Sequence, residues 1–406
     1  MKRAGKVTQI GCDVHRKFSI ATARDGENRI VWRERLNHTD RAELREHLRR
    51  WPEGTPVILE GTFGWGWLSD ELATAGLDPH LASSRKVAGW RDVRGMPKSD
   101  RTDADLLSEL WSEKSRWWEV WLAPPEVRNQ REWLRYRMAL VRIQTGTKNR
   151  IHAILHRHGI VHEFADLFGT QGRRLLSLLA TPGDGRLPES GRVTLKGHVQ
   201  LLDQVRHQIA AATREFRKQV ARSPAAQRLM TLPGVSWILS YTILAEVGTI
   251  ERFRSARHLA SYSLLAPRAH DSGEDDEEAP KGRHVGHVGR RTLKWAWIEA
   301  AHGAVRKGGR VRAIFDRRTN AGKRDRNRGY IAVAHELSRI AYVLWSKEID
   351  YSESPPPRPG LLETSRPRVS ETKKRERSRS RTSKTKSRTS RPGTGQPDRP
   401  MVAAVV

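Results

Sequence analysis

The chain has 406 residues, with 75 Lys and Arg against 46 Asp and Glu, so its formal net charge is +29. Such an excess predicts a polyanionic partner, nucleic acid first and an acidic membrane surface second. The single cysteine excludes an internal disulfide framework, and no apolar run has the length of a signal peptide or membrane span. We therefore expect a cytoplasmic, nucleoid-associated protein that does not enter a membrane.

The first 110 residues predict an α/β domain. Residues 7–36 form three predicted strands, with a turn signal at Asp25-Gly26. A helix capped near Thr39-Asp40 follows, and short apolar strands at 56–60 and 79–82 alternate with further helix. Three hairpin strands followed by alternating helix and strand are typical of a ribonuclease-H-like fold, which we assign to residues 1–110.

Four acidic residues of this domain are candidates for a metal site. Asp13 and Glu60 lie on apolar strands, where an acid is costly unless it is paired or bound to metal. Asp100 and Asp103 begin a predicted helix after Pro97, capped by Ser99 or Asp100, and their spacing places them on one side of it. If the strands are adjacent, the four acids hold two Mg²⁺ ions about 4 Å apart. The alternative is that strand-end acids face water and the helical acids only cap the helix.

Residues 111–227 predict a mostly helical, coiled-coil region. Trp111, Trp117, Trp118 and Trp121 recur at near-helical spacing, and a long basic helix is predicted over 127–157. A loop at 181–191 separates it from a second helix over 199–221. The basic side of the first helix is either a solvated face or a face that follows nucleic-acid phosphates. It carries Arg131, Arg135, Arg137, Arg142, Lys148 and Arg150.

A second compact region is predicted at residues 228–351. It opens with a helical hairpin around Pro233-Gly234, which either presents backbone N–H groups to a phosphate or is a plain helical turn. Helices are predicted over 292–305 and 330–345, and the Ser-Gly pair at Ser272 lies in a loop before them. The residues from 352 to 406 are rich in Ser, Arg, Lys and Pro and predict a disordered basic tail.

The motifs in both regions resemble those of one family, the transposases of the insertion-sequence-110 group. The resemblance rests on Gly11-Cys12-Asp13-Val14-His15, Leu59-Glu60-Gly61-Thr62, Lys98-Ser99-Asp100-Arg101-Thr102-Asp103-Ala104, Leu265-Ala266-Pro267-Arg268 and Asp271-Ser272-Gly273. It implies that the first domain is RuvC-like, with Asp13, Glu60, Asp100 and Asp103 as the DEDD metal-binding tetrad. It also implies that Ser272 is the catalytic nucleophile of a mainly helical transposase domain. A structured guide RNA from the element, the bridge RNA, and assembly into homodimers or homotetramers are further implications.

Our first hypothesis is an RNA-guided DNA transposase or recombinase that joins donor and target DNA through Ser272 and Mg²⁺. The alternatives are a RuvC-like, metal-dependent DNA junction nuclease that uses water, and a non-catalytic nucleic-acid-binding protein. One departure from the family is the acidic run from Glu274 to Glu278, which repels a DNA phosphate unless it is neutralised. A zinc site at Cys12 and His15, or at His284 and His287, is disfavoured because structural zinc takes several thiolates.

Overall fold

A computed structural model describes residues 6–113, 115–266, 291–323 and 325–353. Ser272, the acidic run from Glu274 to Glu278, His284, His287 and the tail from residue 354 onward lie outside the described residues. Within the described part, no helix combines the length and the apolarity needed to cross a bilayer.

The N-terminal region is built on a mixed six-stranded sheet. The strands are β1 (Val7–Val14), β2 (Phe18–Asp25), β3 (Ile30–Asn37), β4 (Pro56–Glu60), β5 (Asp78–Ala82) and β6 (Glu119–Val120), and their order in the sheet is β3-β2-β1-β4-β5-β6. β1 and β2 are antiparallel, as are β2 and β3, whereas β4 runs parallel to β1 and β5 runs parallel to β4. The short β6 is antiparallel to β5 at one edge. The predicted α/β architecture of this region is confirmed.

Two pairs of helices cover the two faces of the sheet. α1 (Arg41–Leu48) and α2 (Trp65–Thr74) share a buried cluster with Ile10, Cys12 and Leu59. α3 (Ser84–Val93) and α4 (Asp100–Glu109) share a second cluster with Ile58 on the opposite face. Because side chains alternate along a strand, the residues next to Cys12 and Leu59 point to the α4 side.

Gly11 of β1 lets α4 lie directly on the sheet. A Cβ atom at this position would lie 2.1 Å from the backbone nitrogen of Ser108 and 2.4 Å from the carbonyl oxygen of Ala104. Only a hydrogen fits in this gap, so the backbones of β1 and α4 are in contact. This close packing fixes the position of the first turn of α4 relative to the carboxyl end of β1.

The rest of the described chain is helical. The long helices α5 (Pro125–Arg157) and α7 (Glu189–Arg222) pack against each other, and α6 (Thr170–Leu179) packs on α7. A further core surrounds the fully buried Trp297. The elements that follow α7 are α8 (Pro224–Thr231), α9 (Trp237–Val247), α10 (Ala256–Tyr262), α11 (Arg291–Lys307), α12 (Gly309–Thr319) and α13 (Arg326–Lys347).

The turn between α8 and α9 is packed on its glycine side. Gly234 has φ of +80°, and a Cβ atom there would lie 2.1 Å from the carbonyl oxygen of Ala300 and 2.4 Å from the nitrogen of Ala304, both in α11. The side of the turn that Gly234 forms is therefore occupied by α11.

Side chains from before and within α5 reach into the C-terminal helices. The Nε atom of Arg131 donates to the carbonyl oxygen of Ala245 at 2.9 Å, and an Nη atom donates to that of Glu246 at 3.0 Å. Gly248 follows α9 with φ of +76°, and a Cβ atom there would lie 2.4 Å from the indole of Trp121. Arg131 therefore belongs to the buried junction of α5 with α9.

Two local predictions are wrong. The tryptophan spacing does not continue a helix, because residues 110–112 form a 3₁₀ turn and β6 follows; Trp118 is instead buried under the sheet. Arg131 is not on a basic outer face, because its guanidinium is buried where it binds the carboxyl end of α9.

Gly11→Ala tests the contact of α4 with β1. We expect it to lower the stability of the N-terminal region by about 1–3 kcal/mol, the usual cost of overpacking, because the new methyl meets backbone that cannot rotate away. Hydrogen exchange of the β1 and α4 amides in the full-length protein measures the effect locally.

Gly89→Ala is the matched control. Gly89 lies on the exposed side of α3, and a Cβ atom there meets nothing within 4 Å. Alanine in a helix is favoured over glycine, so this variant should be unchanged or more stable. Equal exchange rates in the two variants would contradict the close packing at Gly11.

Candidate active site

Two acids lie side by side at the carboxyl ends of the parallel strands. The register of β1 and β4 pairs Cys12 with Leu59, so Asp13 and Glu60 are the next residues along each strand. Both therefore lie on the side of the sheet that α4 covers. The side chain of Asp13 is buried, and that of Glu60 is half-buried.

The first turn of α4 brings two more acids to this edge. Ser99 caps the helix, as one of the two predicted caps, and its Oγ accepts a hydrogen bond from the Thr102 backbone N–H at 3.1 Å. Asp100 is exposed at the helix start, whereas Asp103 is buried against the sheet. Asp105 faces elsewhere: it accepts a hydrogen bond from Thr22 Oγ1 at 2.8 Å and binds the Arg33 guanidinium.

His15 lies between Asp13 and Asp100. Its Nε2 atom is 3.0 Å from Asp13 Oδ2 and 3.3 Å from Asp100 Oδ2. Both distances lie within the range of ion pairs, but this buried nitrogen makes no hydrogen bond among the described residues. One donor atom from each of the three residues lies within 4.8 Å of the others. An imidazole nitrogen thus faces two carboxylate oxygens without satisfying its own hydrogen-bonding capacity.

Arg91 neutralises the other side of the cluster. Its Nη1 atom donates to Asp103 Oδ1 at 2.8 Å, and both side chains are largely buried. The hydrogen bond from Arg91 to Asp103 is the main reason why the pKa of Arg91 is raised, and the charge of Glu60 adds to it. Glu60 and Asp103 therefore act on the same guanidinium.

The electrostatics of Asp13 show that all four acids converge. Burial raises the pKa of Asp13 from 3.8 to about 6. The charge of His15 lowers this pKa, while the charges of Asp103, Glu60 and Asp100 each raise it. Carboxylates that repel one another in a partly dry site are stabilised by a cation placed among them.

The residues present fit a divalent cation. Carboxylate oxygens are hard ligands, and an imidazole nitrogen completes many divalent sites. The buried and poorly bonded Nε2 of His15 is the structural observation that favours such a ligand. Asp13, His15 and Asp100 could hold the ion directly, with Glu60 and Asp103 beside them.

The reasoning from sequence did not place His15 or Arg91 with the four acids, and it weighed His15 only as a partner of Cys12 in a disfavoured zinc site. His15 is two residues after Asp13, and strand alternation places it on the same side, so this signal was present in the sequence. Arg91 carries no such signal, because its place beside Asp103 depends on how α3 packs against α4. Ser272 lies outside the described residues, so its position relative to the acids stays a prediction.

Comparison with known protein families matches both halves of the chain. Residues 10–160 match the DEDD transposase domain of the IS110 group, and residues 226–316 match the family described as transposase IS116/IS110/IS902. The first match contains all four acids. The second begins within α8 and extends into α12.

Two relatives that match most of the chain are transposases by name, and a third, which matches a shorter part, is a gene-inverting protein. A probable family 20 transposase from Pseudomonas aeruginosa is 24% identical over 350 residues, which cover 85% of this chain and 98% of the relative. The transposase for insertion sequence element IS1111A from Coxiella burnetii is 27% identical over 305 residues, covering 73% and 79%. A pilin gene-inverting protein from Moraxella bovis is 31% identical over 121 residues, covering 29% and 36%.

An acid cluster at the strand ends of an α/β domain, followed by a second region of the same family, defines a DNA transposase. The chain contains the two transposase domains of the IS110 group, one at residues 10–160 and the other at residues 226–316.

Asp13→Asn should make the metal-free protein more stable at neutral pH. The folded state raises the pKa of Asp13 above its ordinary value of 3.8, so folding favours the protonated acid, and stability falls as the pH rises from about 4 to about 6. Asparagine does not ionise. At about 1.4 kcal/mol per pKa unit, the gain at pH 7.5 is at most about 3 kcal/mol.

The measurement is a set of denaturation midpoints between pH 4 and pH 8 in a chelator. Wild type and variant should converge near pH 4 and separate above pH 6. Added divalent cation should make the wild type the more stable of the two, because only the wild type retains the Asp13 carboxylate as a ligand for the cation. A variant that is less stable at every pH would contradict the raised pKa.

Proposed function

We propose that the protein is an RNA-guided DNA transposase that excises and inserts a mobile element by Mg²⁺-dependent strand cleavage and exchange. The convergence of Asp13, Glu60, Asp100 and Asp103 at one edge of the sheet carries this proposal. Relatives named for an insertion sequence element and for gene inversion support a reaction in which DNA strands are cut and rejoined.

The finer architecture is part of the same proposal. Three antiparallel strands joined to two parallel strands in the order 3-2-1-4-5 support a ribonuclease-H-like, RuvC-like domain over residues 1–110. The packing of α5 on α7 supports a coiled-coil region over 111–227. The helices from α8 to α13 support a mainly helical transposase domain over 228–351 that carries Ser272.

The acids position the cation and, through it, the DNA. When bound, Mg²⁺, which we propose as two ions, supplies charge neutralisation and Lewis-acid polarisation at the scissile phosphate. Asp13 and Glu60 lie on rigid strand ends, and Asp100 and Asp103 lie on a helix fixed by the contact at Gly11. Arg91 holds Asp103 in place beside the cluster through the hydrogen bond to Oδ1.

Ser272 is the proposed nucleophile. Its Oγ attacks phosphorus, a new serine–phosphate ester bond forms, and the bond from phosphorus to the leaving deoxyribose oxygen breaks. The hydroxyl proton of the serine is lost to a base or to water, and the leaving oxygen takes up a proton. The phosphoserine ester keeps the bond energy, so a second DNA hydroxyl reverses the step and joins a new strand.

The charge of the protein supports binding of both DNA and a structured guide RNA. The net charge of +29 predicts strong, salt-dependent affinity for a polyanion. Arg135, Arg142 and Arg150 lie exposed along α5, where a phosphate backbone can follow the helix. We further propose that the active assembly is a homodimer or homotetramer.

Asp103→Asn should abolish strand exchange while Asp105→Asn should not. The two acids are on the same helix, but only Asp103 lies in the cluster, whereas Asp105 binds Thr22 and Arg33. Loss of a group that stabilises transition-state charge costs about 10²–10³ in rate. The assay is Mg²⁺-dependent recombination by purified full-length protein with its RNA. Equal activity of the two variants would remove Asp103 from the chemistry.

Ser272→Ala should abolish both strand exchange and a covalent protein–DNA adduct. Denaturing electrophoresis of the reaction with labelled DNA detects the adduct, and mass spectrometry locates it. If the variant still cleaves DNA and no adduct forms with wild type, water is the nucleophile and the protein is a metal-dependent nuclease instead.

A further inference from the structure

An aromatic side chain stands exposed beside the acid cluster. Phe63 has 85% of its surface exposed, more than any other aromatic residue in the part of the chain that the structure describes. It is three residues after Glu60, so its Cα lies within about 10 Å of the acid's Cα by chain length alone. An apolar ring left in water at this place has no role in the folded core.

The loop that carries Phe63 is held at both ends. The Gly61 N–H donates to the carbonyl oxygen of Ala82 at 2.9 Å, and the Thr62 N–H donates to that of Glu60 at 2.8 Å. Gly64 adopts φ of +88° at the start of α2, and a Cβ atom there would lie 3.7 Å from the side chain of Val14, which packs in the cluster of α1 and α2 at the carboxyl end of β1. Phe63 therefore lies at the carboxyl edge of the sheet, the edge at which the acids also lie.

Exposed cations surround this edge. Arg16 and Lys17 lie in the turn between β1 and β2, and Lys98 and Arg101 lie on either side of Asp100 in the chain. Their charge complements a nucleic-acid backbone and not an apolar protein face. An aromatic ring among cations is the arrangement by which proteins bind single strands, since the cations contact phosphates and the ring stacks on a base.

We propose that Phe63 stacks on an unpaired nucleobase of the DNA strand whose phosphate lies at the acid cluster. This inference rests on the proposed function, because it takes the acids as the place of strand cleavage. The stacked base orients its own nucleotide and fixes which phosphate reaches the acids. Phe63 is thus a positioning residue. Every base has a π-face on which the ring can stack, so we expect the contact to show little sequence preference.

The binding test uses the full-length protein and short single-stranded oligothymidylate that contains one 2-aminopurine. Phe63→Ala and Phe63→Leu should each weaken binding about 5- to 100-fold, the range for loss of one base–aromatic stack, and should relieve quenching of the 2-aminopurine. Phe63→Trp should retain both. The slope of affinity against salt should stay unchanged in all three, whereas Lys98→Ala should reduce it.

Val161→Ala is the matched control, because Val161 is 88% exposed and lies outside the sheet domain. It should bind as wild type does. Photo-crosslinking to an oligonucleotide with 5-iodouracil should label the peptide that contains residue 63. Wild-type affinity and quenching in Phe63→Ala, or crosslinks confined to other peptides, would overturn the proposal. So would a loss of self-association without DNA, which would assign the ring to contact with a second copy of the chain.

The two proposals fail separately. Asp103→Asn should still quench 2-aminopurine, because stacking does not use the carboxylate. A wild-type protein that stacks the base through Phe63 but never cleaves DNA with any divalent cation would refute the proposed function and leave the Phe63 contact standing.

Discussion

The contact between the backbone of β1 at Gly11 and the backbone of α4 is the constraint on which the site depends. With only a hydrogen atom between strand and helix, α4 has no freedom to shift along the sheet. The first turn of α4 therefore lies next to the carboxyl end of β1, which places Asp100 and Asp103 beside Asp13 and Glu60. A larger residue at position 11 would separate the acids without changing any of them.

The cluster is held together by charges that oppose one another. Burial and three neighbouring acids work against ionised Asp13, and the Arg91 guanidinium supplies positive charge on the side of Asp103. Such a site is costly for the folded state and ready for a cation. Apolar residues at these positions would make the folded protein more stable than the acid cluster does. Such a loss of stability is common where residues are placed for chemistry.

Much of the sheet and of the acid cluster could be predicted from sequence, because both follow from local patterns. Strand β4 ends at Glu60 where its apolar run ends, and Ser99 precedes the helix it caps. The contacts of Arg91 and of Arg131 could not be predicted, since each joins elements that are far apart in sequence. The tryptophans after α4 gave a helical period without a helix, because the contacts of Trp118 under the sheet and of Trp121 against Gly248 decide the backbone there.

The junction of Trp121, Arg131 and Gly248 decides how the protein can be dissected. The first family match ends at residue 160 and the second begins at 226, which invites cutting the gene between them. A fragment that ended in that interval would deprive the Arg131 guanidinium of two carbonyl acceptors and uncover the indole of Trp121. The two matched portions are thus poor candidates for separate expression. Exchange of one portion between homologous genes would break the same contacts, so we expect the two portions to be inherited together.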